Sequence, residues 1–317
     1  MPGAGGAGGV GAKEESVDRQ LRGILSAMST PFDANGALDE AGLRELTDGT
    51  IRAGVHGLIT CGSTGEFPAL TTDERKRVTE IVVDQAKGRV PVVAGTGSTS
   101  TAVAVDLTRH ARGVGCDAVM VVNPYYEPMS LDEVYDYFKD VAEAGRLPII
   151  VYNIPSCTGT NLPPAFVAKM AREIDEVQYV KDSSGDLGQV SELMYKYGDV
   201  ITSFNGQDTI TFSGLSLGAQ GSVWGAANCM PRQCAELFDL CDAGRLNEAK
   251  ALWDRMYPVQ QFLVTEGYVA SVKAGANLIG FHVGNPRKPF RPLRPDKVEE
   301  LRGLLAVAGA IPEPARA

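Results

Sequence analysis

Residues 118–122 read AVMVV and residues 148–152 read PIIVY, two short runs that are apolar almost throughout. A strand with one wet face alternates polar and apolar positions. A strand buried on both faces does not, and this is the pattern of a parallel sheet covered by helices. Working outward, similar runs stand at 24–28, 57–60, 90–94, 177–181, 200–204 and 221–224, which makes eight with the first two. Longer amphipathic stretches lie between them, among them 39–53, 72–87 and 131–144. Each opens on Thr or Asp or follows Ser, residues that cap a helix N-terminus. Eight strand–helix units in unbroken series predict a closed (β/α)8 barrel, the TIM-barrel form of the α/β class. A doubly wound sheet would carry a glycine fingerprint after its first strand, and STPFDANG (29–36) has none.

After residue 228 the pattern changes to consecutive helices, predicted at 232–242, 246–265, 268–279 and 295–306. The first is expected to close the barrel and the others to form a helical appendage. The predicted organisation is a flexible Gly/Ala-rich leader over 1–22, a catalytic barrel over 23–243 and a C-terminal helical region over 244–317.

The formal net charge of −9 leaves no basic run to neutralise phosphates, which argues against nucleic acid as a partner. No stretch is long and apolar enough to predict a membrane span. The six cysteines form no CxxC pair, and with three histidines they suggest no metal site. Free thiols and the lack of a signal-peptide pattern give a cytoplasmic enzyme as the expectation.

In a (β/α)8 barrel the reacting groups stand at the C-terminal ends of the strands. Lys181 ends the run VQYV, so it should point into the barrel mouth. An ammonium is costly to bury there, and a neutral amine in a dry site condenses with a ketone. A lysine snorkelling at the rim, or paired with Asp182, is the competing reading. Tyr152 ends the neighbouring strand, where its phenol could move a proton, although most buried tyrosines serve only as core. Gly62, Ser63 and Thr64 open a turn whose backbone N–H groups and hydroxyls suit a carboxylate. An ordinary strand–helix turn would look much the same.

Taken together, GSTGEFPALT (62–71), NPYY (123–126), YNIP (152–155), VKDSSGD (180–186) and NG (205–206) resemble the dihydrodipicolinate synthase/N-acetylneuraminate lyase family, in the family's order and on the matching strands. The resemblance implies a class I aldolase that joins or splits a carbon–carbon bond beside pyruvate. It makes Lys181 the Schiff-base lysine, Tyr152 the proton-transferring tyrosine, and Ser63 and Thr64 the holders of the pyruvate carboxylate. Tyr126 matches a tyrosine that reaches a neighbouring subunit's site. The resemblance implies no metal or organic cofactor, and it implies a homotetramer built as a dimer of dimers.

The second substrate, an aldehyde, is read from departures. Lysine-pathway members carry an arginine shortly after the YN-x-P proline, where this chain has Cys157, which cannot make a bidentate carboxylate contact. Sialic acid lyases read NG-x-DE where this chain reads NGQDT. The expectation is therefore a 2-keto-3-deoxy sugar acid or 4-hydroxy-2-oxoglutarate, its uncharged chain held by Asp208, Thr209 and Ser222 beside Gly206 and Cys157. Dihydrodipicolinate synthesis, sialic acid cleavage and a non-catalytic pyruvate sensor are the alternatives. If a carboxylated aldehyde were the substrate, Arg287 or Lys288 would have to supply the missing contact.

Overall fold

The computed structural model describes residues 21–312. The expected leader falls mostly outside them, although Leu21 is already core: it is buried, and its N–H donates to the Tyr179 hydroxyl at 3.3 Å. Eight parallel strands close on themselves in sequence order. They are β1 (Gly23–Ala27), β2 (Gly57–Thr60), β3 (Val92–Gly95), β4 (Ala118–Val122), β5 (Ile149–Asn153), β6 (Val177–Asp182), β7 (Thr202–Asn205) and β8 (Gly221–Trp224). β8 pairs with β1 to complete the ring. β4 and β5 are buried along their whole length, as their unbroken apolar runs predict.

The outer layer comprises α1 (Glu40–Arg52), α2 (Thr72–Ala86), α3 (Thr101–Gly113), α4 (Leu131–Gly145), α5 (Pro155–Thr158), α6 (Pro164–Glu173), α7 (Leu187–Tyr197), α8 (Thr211–Ser216) and α9 (Pro231–Asp242). Thr71 with Glu74 and Ser130 with Glu133 form reciprocal capping boxes at the starts of α2 and α4. Four details depart from expectation. β3 starts two residues later than predicted, at Val92. β7 starts two residues later than predicted because the N–H groups of Val200 and Ile201 turn back to the Tyr197 carbonyl. α8 has six residues, well short of a usual crossover helix. The loop after β5 contains α5, a single turn begun by Pro155, and this turn carries Cys157.

Three further helices follow: α10 (Leu246–Thr265), α11 (Tyr268–Leu278) and α12 (Pro295–Val307). They form the expected C-terminal helical extension. The start of α11 and the loop before α12 reach over the mouth of the barrel and wall the cavity described next. Among the described residues no helix is long and apolar enough to cross a membrane.

Candidate active site

The strand ladder fixes the central pair. Tyr152 on β5 is in register with Lys181 on β6, so both side chains leave the sheet on one face at one height. The ammonium nitrogen of Lys181 lies 3.8 Å from the centroid of the Tyr152 ring. Lys181 is 6% exposed. Asp182, one residue on, points the other way. It accepts from Asn153 Nδ2 at 2.8 Å, Gln189 Nε2 at 2.6 Å and the Ser184 N–H at 3.0 Å, so it pins the end of β6 instead of pairing with the lysine. Ser183 Oγ donates to the Gly206 carbonyl at 2.7 Å and ties β6 to the loop after β7. A Cβ at Gly206 would fall 2.8 Å from Cε of Lys181, so only glycine leaves room for the extended lysine.

Lys181 and Tyr152 open into a cavity of about 730 Å³ at the C-terminal ends of the strands. Ser63 and Thr64 line it from the turn after β2. In that turn the N–H groups of Gly65 and Glu66 are taken by the carbonyls of Gly62 and Ser63. The N–H groups of Ser63 and Thr64 bond to no protein acceptor among the described residues and remain available as donors. Gly62 itself closes the turn through its carbonyl and does not line the cavity.

Behind the turn, Phe67 stands edge-on to Tyr125 with ring centroids 5.6 Å apart, and Arg75 lies over the Phe67 ring. The turn is fastened from the C-terminal side as well. Lys273 Nζ on α11 contacts Glu66 Oε1 at 2.7 Å, with both side chains buried. Burial pushes the Lys273 ammonium down to about 8, against the pull of the Glu66 charge. The Arg287 N–H donates to the other Glu66 oxygen at 2.8 Å, and its guanidinium grips both oxygens of Glu74 at 2.8 and 2.9 Å.

Several expected positions are placed differently. Ser222 is buried outside the cavity, exchanging hydrogen bonds with Asn205. Thr209 sits in a 3-10 turn and does not line the cavity. Asp208 does line it, but its carboxylate is occupied by Tyr268 and Trp224. The three polar groups expected to hold a hydroxylated chain are therefore absent from the cavity or already bonded.

Tyr126 is 85% exposed and lies outside the cavity of its own chain, which Tyr125 lines instead. Cys157 is exposed at the cavity wall. Arg287 is committed to Glu74, and Lys288 is exposed away from the cavity. The wall also contains Tyr268 and Arg291, which nothing in the local sequence singled out. Arg291 has no side-chain hydrogen bond or ion pair among the described residues. Arg294 and Lys297 beside it are engaged by Asp296, and by Glu266 and Glu300.

Residues 20–308 match the dihydrodipicolinate synthetase family. The chain belongs to that family. It is therefore an enzyme, a carbon–carbon lyase of the Schiff-base aldolase kind. It is 38% identical to a 4-hydroxy-tetrahydrodipicolinate synthase of Methanopyrus kandleri over 93% of this chain and 98% of that one. It is 41% identical to one of Thermomicrobium roseum over 90% and 94%. Among solved structures, the chloride-inhibited dihydrodipicolinate synthase of Acinetobacter baumannii in complex with pyruvate superposes with a TM-score of 0.88. That match has 31% identity and covers 92% of this chain and 99% of that one.

Proposed function

We propose that Lys181 condenses with the ketone of pyruvate and that the enamine formed adds to aspartate semialdehyde, the reaction of a 4-hydroxy-tetrahydrodipicolinate synthase. The observation that carries the chemistry is the buried Lys181 nitrogen against the Tyr152 ring, in one cavity with the free N–H groups of Ser63 and Thr64. Those N–H groups would take the pyruvate carboxylate. The amine attacks the ketone carbon, water leaves, and an iminium forms. The iminium draws electrons from C3, a C3 proton is lost, and the enamine attacks the aldehyde carbon. The new alkoxide takes a proton, with Tyr152 as the donor, and attack by water or an amine frees the lysine. Tyr126, exposed on its own chain, would complete the site of a second copy in an oligomer.

Two observations support the choice of aldehyde. The relatives named above carry that activity in their names over nearly their whole length. Arg291 offers an unengaged guanidinium to a carboxylate in the same cavity. Cys157 favours a second reading: a neutral residue at the wall suits the uncharged chain of a 2-keto-3-deoxy sugar acid.

Pyruvate consumption with aspartate semialdehyde, set beside pyruvate release from 2-keto-3-deoxy sugar acids and 4-hydroxy-2-oxoglutarate, separates the two. Condensation with the semialdehyde as the faster reaction is expected. Cleavage of the sugar acids without condensation would overturn the choice of aldehyde. Pyruvate binding with neither reaction would make the protein a sensor.

A further inference from the structure

The cavity holds a buried carboxylate that the scheme above leaves unused. The side-chain donors to Asp208 are all neutral: Tyr268 Oη at 2.9 and 3.1 Å from its two oxygens, and Trp224 Nε1 at 3.1 Å from one of them. Burying a carboxylate without a cation is costly. Of the other buried carboxylates at the strand ends, Glu66 has Lys273 at 2.7 Å, and Asp182 takes three neutral donors while pointing away from the lysine. Lys181, the reacting amine, lines the same cavity as Asp208 without an ion pair between them, and its charge favours the Asp208 carboxylate. The remaining titratable groups around it are the thiols of Cys229 and Cys234, both pushed up by burial, and the Tyr152 phenol, which faces Tyr268. Both thiols are neutral near pH 7.

The donors themselves are held in place. Trp224 Nε1 also donates to Gln260 Oε1 at 3.1 Å, which locks the indole. A Cβ built on Gly225 would lie 2.3 Å from Tyr268 Oη and 3.0 Å from Thr64 Oγ1, so both hydroxyls pack against Gly225 and leave no room for a side chain there.

We infer that Asp208, held by Tyr268 and Trp224, is the counter-charge that keeps the imine nitrogen on Lys181 protonated, with Tyr268 as its positioning residue. The inference rests on the imine proposed above. An aliphatic imine is a weaker base than its parent amine, so in a dry cavity it tends to shed its proton, and a neutral imine is a poor electron sink. A fixed carboxylate nearby opposes that loss. Burial holds Asp208 up at about 6, against the donors and Lys181. The counter-charge is therefore present above about pH 6 and is lost below it.

The test is the exchange of pyruvate methyl protons with solvent, followed against pH without any aldehyde, together with near-ultraviolet circular dichroism to confirm folding. Asp208→Asn should slow exchange at least about tenfold near neutrality and move the alkaline limb to lower pH, because its imine deprotonates sooner. Tyr268→Phe keeps the charge but removes a donor, so the acid limb should move up by about one pH unit.

A folded Tyr268→Phe with an unmoved acid limb overturns the inference, as does Asp208→Asn with a wild-type profile. A uniform loss of rate with both limbs unmoved would mean a structural role only and overturns it equally. If Asp208→Asn does not fold, Tyr268→Phe decides alone. Wild type that exchanges no methyl protons would instead bring down the imine on Lys181.

Discussion

Lys181 and Tyr152 stand on adjacent strands, and the backbone ladder between β5 and β6 sets their separation. Tyr268 and Arg291 wall the same mouth from α11 and the loop before α12, and side-chain contacts, above all Lys273 with Glu66 and Arg287 with Glu74, hold those elements to the barrel. The first group is positioned by hydrogen bonds that no single side chain controls. The second depends on a few buried charges. Changes in the strand ends should therefore abolish chemistry while sparing the fold. Changes in the C-terminal wall should alter stability, affinity or pH response while leaving the imine possible.

That contrast can be broken most sharply at Tyr152. Tyr152→Phe should retain the fold and the imine but lose about 10²–10⁴-fold in kcat, the usual contribution of a general acid–base group. A variant within a few-fold of wild type would remove the phenol from proton transfer.

Next in size is Lys273→Met, which strands Glu66 as a buried unpaired carboxylate. Denaturant unfolding should show a loss of about 3–5 kcal/mol. An unchanged unfolding midpoint would mean that the C-terminal wall is fastened by packing alone.

The smallest effect is expected at Arg291. Arg291→Gln should raise KM for aspartate semialdehyde by about tenfold, the loss of one charged hydrogen bond, while leaving KM for pyruvate unchanged. Equal changes in both would show that Arg291 shapes the cavity without reading the aldehyde.

The two walls also differ in how far the sequence revealed them. A lysine at the end of VQYV and a tyrosine at the end of PIIVY follow from period-two geometry and barrel architecture, so their convergence was legible residue by residue. Tyr268 looks like any helix-start aromatic. Its partner Asp208 is sixty positions away in sequence, and nothing local joins them. Of Asp208, Thr209 and Ser222, read as contacts for a hydroxylated substrate, only Asp208 lines the cavity, and the reason is the same. Strand ends indicate which residues are near the mouth but not which are already bonded, and Ser222 is satisfied by Asn205 within the sheet. The C-terminal helices were legible from their pattern, but their share in the cavity wall was not, because docking onto the barrel is a property of packed side chains. One available clue was Glu66 at the end of GSTGE: a carboxylate in an otherwise uncharged loop needs a cation once buried, and α11 supplies it with Lys273.

The central claim is that Lys181 carries the pyruvate imine, and reductive trapping with peptide mapping tests it most directly. Pyruvate with borohydride should add one stable mass increment to wild type, located on the peptide containing Lys181, and none to Lys181→Ala. Labelling of a different lysine, or an active and still-labelled Lys181→Ala, would contradict the account.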